Sequence, residues 1–407
     1  MTADPTVDAT RRAAGVASPP LLSRALVLLF VASFCAMTGF YLLLSVVPLY
    51  ASRTGANGIG AGLTTGVLML ATVVAELGTP ALLARAGYGV VLGAGLLLLG
   101  APSLALVGSA GFPTILAVCL VRGVGLAVFV VAGGSLVATL LPAARRAEGL
   151  GWYGVVVGIP AVAALPLGVW LAERVGFPPV FIAAAAITLV ALLTVPGLPG
   201  RSRPDHPPIG VWTGLASPGQ RRPALLFLVT AMGAGVVVTF LPLVVRGPAR
   251  LGALALLMHA GATTAARWWA GRYGGRRNQG SLLLAGVAVA GIGMLVLVLA
   301  SHGTAALGGA MLLGIGFGVA QNASLSLMFA QVSASGYDMV SAVWNLAYDA
   351  GMGVGAFGFG LLAAGSGYVA AFAITAAVMA LSLAPALRDR RWLARAPRPA
   401  PIPPGIG

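Results

Sequence analysis

Lysine is absent from this chain of 407 residues; all 24 basic side chains are arginine. Charge of either sign is scarce, at 8% of residues against roughly 25% in an average soluble protein. Only 9 residues are acidic, while 59% are hydrophobic. A chain so composed cannot cover a folded surface with side chains that water tolerates, which excludes a soluble globular enzyme or binding module. A net charge of +15 does not make it a nucleic-acid binder, because such a protein gathers its basic residues on one face of a soluble scaffold. Cysteine is nearly missing too. Cys35 and Cys119 both sit inside apolar stretches and match no metal spacing, so they read as small buried residues. No zinc-ligand cluster, Walker loop or nucleophile elbow occurs, so neither catalysis nor a cofactor is expected. The polar residues 1–21 include Asp4, Asp8, Arg11 and Arg12 and contain no short apolar core with a cleavage site; the expectation is a retained tail, not a removable signal peptide.

Long apolar runs are what the sequence has in abundance. A helix needs about 20 apolar residues to cross the ~30 Å hydrocarbon layer. Such runs lie at 24–50, 59–84, 88–109, 113–140, 148–172 and 178–197, then at 224–245, 250–271, 279–301, 304–331, 338–363 and 367–387. They are continuous, not alternating, which excludes an outer-membrane barrel. The expected fold is all-α and polytopic: 12 transmembrane helices in two six-helix bundles, residues 22–197 and 224–388. Between them, 198–223 reads as a basic linker with Arg201, Arg203, Arg221 and Arg222, and its Pro204, Pro207 and Pro208 break any continuous helix. A Pro-rich tail, 389–407, follows the last run.

Arginine placement orients the bundle. With the N-terminus inside, nineteen arginines, Arg85, Arg267 and Arg272 among them, fall in inner loops and tails. Four fall outside (Arg53, Arg174, Arg246 and Arg250), and Arg122 lies within a run. Both termini are therefore expected on the cytoplasmic side of a bacterial inner membrane, with the lipid bilayer as partner and a monomer as the working unit. The halves also resemble each other. Gly176-Phe177 matches Gly367-Tyr368 at an offset of 191, Pro48-Leu49 matches Pro242-Leu243 at 194 as helix closures, and Arg85-Ala86-Gly87 matches Arg272-Tyr273-Gly274 at 187. Three matches in order indicate a duplicated six-helix unit, as in many secondary transporters.

Two acids stand inside apolar runs. Asp349 lies in the eleventh, with Asn345 four residues before it on the same helix face. Gln321 and Asn322 in the tenth run add amides to the same expected polar site. A carboxyl withdrawn from water is a candidate to take up and release protons, which a proton-coupled carrier requires. Glu76 in the second run is the second proton candidate, and His259 in the eighth is either a hydrogen-bonded structural residue or a relay.

The duplicated layout, with the loop Pro80-Ala81-Leu82-Leu83-Ala84-Arg85-Ala86-Gly87-Tyr88-Gly89, resembles the major facilitator superfamily over residues 22–388. Within it the similarity is to bacterial twelve-helix drug and metabolite exporters. The family's Gly-x-x-x-Asp-Arg-x-Gly-Arg-Arg gating loop keeps only Arg85 and Gly87 here, and its acidic residue is missing. The second-half copy holds Arg272 and Gly274. Arg122 with Gly123 is similar to the family's helix-four motif. An arginine at that depth costs roughly 2.5–3.5 kcal/mol on insertion scales, so it is expected to face the central cavity with an acidic, carbonyl or substrate partner. Gly154 to Gly158 with Pro160, then Pro166-Leu167-Gly168, resembles a degenerate exporter motif on helix five.

What the resemblance implies is alternating access by two rocking bundles, exporting a small amphipathic molecule in exchange for protons. Asp349 and Glu76 would carry the proton, and Arg122, Asn345, Asn322, Gln321 and His259 would line the site. Uptake by proton symport is the alternative within transport, and a non-transporting sensor or scaffold the alternative outside it.

Overall fold

Inside a bilayer no water bonds the backbone amides, so a chain built of apolar runs satisfies them within helices. The computed structural model describes residues 23–108, 111–141, 146–200, 211–246, 250–273, 279–332 and 336–388, and among these there is no β-strand. The first six long helices are α1 (Arg24–Arg53), α2 (Gly58–Ala86), α3 (Tyr88–Leu106), α4 (Phe112–Leu140), α5 (Arg146–Val175) and α6 (Phe177–Gly197). A second six follows: α7 (Pro218–Val244), α8 (Arg250–Tyr273), α9 (Gln279–Leu299), α10 (Gly303–Phe329), α11 (337–366) and α12 (368–388). Ten spans are long and apolar enough to cross a membrane, and the last of these contains both α11 and α12. α8 stands outside the ten although it is as long, because Arg250, His259, Arg267 and Arg272 dilute its apolar character.

Glycine makes the tightest connections. Gly87, Gly176 and Gly367 each stand alone between two helices with φ near +80° (80°, 85° and 80°), where a side chain would be strained. Gly176 (ψ 174°) and Gly367 (ψ 165°) share one conformation, and they are the two positions that the internal repeat aligns. Gly274, the repeat partner of Gly87, lies outside the described residues. Pro48 does not close α1 as expected. Lacking an N–H, it cannot bond to the Leu44 carbonyl, and the helix is interrupted at Ser45, but it resumes and runs to Arg53. Part of the linker is helical too: a short helix, Val211–Ala216, precedes α7, which starts on Pro218, a residue suited to a first helical turn. Pro204, Pro207 and Pro208 fall outside the described residues.

The end of the bundle where α1 begins is called basal here, the other apical. The halves meet mainly toward the apical end. α7 packs on the apical part of α1 (Val46–Arg53) and on α2, while α2 packs along α11 and α5 along α8. No extensive packing joins α4 to α10 or α11 among the described residues. In lipid there is little hydrophobic drive between helices, so close approach through small residues does the work. A β-carbon on Gly62 would stand 2.5 Å from the Ala356 carbonyl oxygen across the seam. Beside it, the buried hydroxyls of Thr65 and Thr239 hydrogen-bond at 2.9 Å. Thr65→Val should cost the apical closure about 1 kcal/mol, the net worth of one such bond. Amide exchange of residues 58–65 should then rise about fivefold, which hydrogen–deuterium exchange would detect.

Candidate functional site

The α2–α11 seam carries the site. Gly66 faces Phe357, and Gly353 faces Met69, each close enough that a β-carbon would stand 3.1 Å and 2.9 Å from the opposing Cβ. Continuing the same antiparallel register toward the basal end brings Glu76 of α2 opposite Asp349 of α11. Their carboxyl groups come within hydrogen-bonding reach of each other. Asp349 is only 7% exposed. An ionised carboxylate can only accept, so a hydrogen bond between two carboxyls holds at least one proton. Sequence reasoning singled out both acids separately and did not foresee that they meet across the halves.

A second cross-half contact adjoins the first. Tyr41 of α1 and Tyr348 of α11, the neighbour of Asp349, bring their hydroxyls together. Arg267 of α8 interacts electrostatically with both hydroxyls. Arginine counting had placed Arg267 in an inner loop; the structure places it inside α8, half-buried. The misplacement follows from reading α8 as an apolar run that ends near its last charged turn. Arg267 reaches the other half: β-carbons on Gly154 and Gly158 of α5 would stand 3.3 Å from its Nη2 and 4.0 Å from its Nη1. The two glycines of the exporter-like stretch thus face this guanidinium.

Aromatic rings wall the second half of the site. Trp344 stacks on Phe227 (centroids 4.6 Å apart, 13° between planes) and on Tyr348 (6.2 Å, 9°), and Phe317 stacks on Phe227 and Tyr348 at 6.0 and 6.1 Å. Trp344 is fixed by its indole N–H, which donates to Ser324 Oγ at 3.1 Å. Phe227 and Phe317 are buried, so the half-buried Trp344 and Tyr348 form the accessible edge.

The remaining expected site residues divide. Asn345 lies one turn basal of Asp349 on α11 and is half-buried. Gln321 is 7% exposed on α10, on the face that carries Phe317 and Ser324. Asn322 turns away from the pair: its Nδ2 sits against Gly271 of α8, 3.1 Å from where a β-carbon would be, and its Oδ1 is buried without a partner. His259 is a packing residue behind the aromatic wall. Its ring stacks on Phe317 at 6.1 Å and lies against the backbone of Ala310, while its buried Nδ1 has no partner.

Arg122 has the carbonyl partner expected of it, but within the first half. Its Nε donates to the Leu99 carbonyl of α3 at 3.1 Å, and at 1% exposure it does not open onto a cavity. That carbonyl is available because α3 tightens to 3₁₀ geometry at Ala101–Leu106, and the residue three beyond Leu99 is Pro102, which has no N–H. Its Nη1 is buried without a partner. On α5, Gly168 packs against the Leu42 carbonyl of α1, and Pro160 and Pro166 lie within the helix. Pro166 borders an apolar recess of about 460 Å³ between α5 and α8. Arg85 and Arg272 are exposed in the last turns of α2 and α8, with buried Gly87 capping α2.

A family model described as Major Facilitator Superfamily matches residues 29–356. Among solved structures, the fold is similar to that of a bacterial homolog to the human lysosomal transporter Spinster, in an inward-facing and unoccupied conformation. The TM-score is 0.72 at 17% identity, with 95% of this chain and 100% of that chain covered, a likeness of fold alone. None of the curated proteins matches.

Proposed function

Because the chain belongs to the Major Facilitator Superfamily, and is thus a multi-pass secondary transporter, we propose that it moves a small amphipathic molecule by proton-coupled alternating access, with Glu76 and Asp349 carrying the proton. One observation carries the proposal: two carboxyls, one from each half, meet within hydrogen-bonding reach inside an apolar bundle. A proton gained or lost there changes the adhesion between the halves, which is the equilibrium that alternating access must shift. The apical packing and the lack of extensive packing between α4 and α10 or α11 correspond to one extreme of such a cycle. With both termini in the cytoplasm of a bacterial cell, that extreme is open to the inside.

Two senses of coupling are open to this site. Export by exchange with protons is favoured by the exporter-like glycines and prolines of α5. Co-transport with protons is favoured by Arg267, a fixed positive charge beside the two tyrosines that adjoin the pair. Accumulation of a labelled-compound panel in an efflux-deficient bacterium expressing the chain, with and without a protonophore, tests the proposal. Protonophore-sensitive depletion of a compound means export, and protonophore-sensitive enrichment means uptake. Transport that ignores the protonophore, or no transport of any compound, would count against proton coupling.

A further inference from the structure

Arg267 is a charge in search of a partner. Among the described residues it makes no salt bridge; the pair that does is Arg53 with Glu173, at 3.9 Å near the apical surface. A cation inside a membrane bundle is costly, and such residues mark pathways of substrates or ions. Here the guanidinium is only half-buried, is kept free of side chains on one flank by Gly154 and Gly158, and has two tyrosine hydroxyls on the other. The planar fork suits a carboxylate, sulfonate or phosphate, which it can hold with two parallel bonds. Arg122, inside α4, has a buried Nη1 without a partner but lacks this access.

We propose that the transported molecule carries an anionic head, received by Arg267 with Tyr41 and Tyr348, and an aromatic or apolar body laid against Trp344. This rests on the proton-coupled transporter reading above and names the substrate class of that site. An anion bound there touches both halves at once, since Tyr41 and the α5 glycines belong to the first and Arg267 and Tyr348 to the second. Charge then sets the sense of coupling. With both carboxyls protonated the cluster is net positive and attracts the anion; with one proton it is neutral; with none it is net negative and repels it. Anion and proton therefore bind together and travel the same way, which selects co-transport. The ionisable groups next to the pair are Tyr41 from α1 and Tyr348 from α11, and Arg267 from α8 stands beside these tyrosines. α7 and α10 contribute Phe227 and Phe317, His259 of α8 lies behind Phe317, and Arg122 of α4 faces α3.

The test is thermal stabilisation of the purified full-length protein in detergent by probes that share a ring and differ in charge. Benzenesulfonate, benzoate and phenylphosphate are the anions, benzenesulfonamide the neutral probe and benzyltrimethylammonium the cation. At least one anion should stabilise the protein, and the neutral and cationic probes should not. Arg267→Gln should weaken that anion's apparent affinity roughly thirtyfold or more, as loss of one partner of a desolvated charge pair does. Arg267→Lys, which keeps the charge and loses the fork, should fall between, and Arg272→Gln at the exposed helix end should match the wild type. Anion affinity should fall as pH rises, and Asp349→Asn should flatten that dependence. Stabilisation that depends on Arg267 but not on pH keeps the anion site and sinks the proton-coupled reading. No anion binding, preference for the cation, or affinity unchanged in both Arg267 variants overturns the anion site.

Discussion

Asp349→Asn is expected to lower proton-driven transport on the order of a hundredfold or more, the scale set by a positioned proton-transfer group. The substitution keeps the shape and hydrogen-bonding capacity of a protonated Asp349, so the contact with Glu76 survives as an amide–carboxyl bond. What disappears is the exchangeable proton between the halves. Equilibration of label down its own gradient, which needs the rocking motion alone, should fall far less. Glu76→Gln should behave alike, and the double variant should be little worse than either, because groups that act as one unit are non-additive. Proteoliposomes loaded at two pH values give the comparison. Equal losses of driven transport and passive equilibration would mean that Asp349 serves the fold and not the coupling.

The second large effect is predicted far from any charge. Gly62→Leu should trap the transporter with its apical end open. The new β-carbon would meet the Ala356 carbonyl of the other half at 2.5 Å, and backbone cannot yield as a flexible side chain can. Overpacking of that kind costs about 1–3 kcal/mol, enough to shift a two-state equilibrium roughly 5–150-fold. Since the clash lies between the halves, each bundle still folds and only their closure suffers. Cysteines introduced by Thr65→Cys and Thr239→Cys should cross-link readily in the parent background, given the 2.9 Å contact of the native hydroxyls, and poorly with Gly62→Leu added. Gly168→Leu is the contrast. It meets the Leu42 backbone inside the first half, so it should reduce folded yield and not merely closure.

Fold and site were legible to different degrees, for physical reasons. Apolar runs of membrane length declare helices because the bilayer admits little else, so the twelve segments could be read from hydropathy and the duplication from Gly176 and Gly367. Asp349 and Glu76 stood out because charge is rare at such depth. Their meeting did not, since it depends on the register of α2 against α11, which small residues at Gly62, Gly66 and Gly353 set. Arg267 was misread because the positive-inside rule treats any arginine near a helix end as a topological marker. The signal that could have placed it was the repeat of small residues at Gly154 and Gly158 on α5, which made sense as an exporter-like motif but not yet as room for a side chain from the other half. Arg122 failed in the opposite way: the cost of a buried arginine was seen correctly, but not that Pro102 had freed a carbonyl within the same half to meet it.

The two carboxyls are expected to hold a proton between them, which infrared spectroscopy of the purified protein in lipid would detect. At pH 7 the wild type should show a protonated-carboxyl carbonyl band that is lost or shifted in both Asp349→Asn and Glu76→Gln and that changes reversibly when the bulk pH is cycled. A wild-type spectrum without that band at pH 7, or a band unaltered in both variants, would contradict the account.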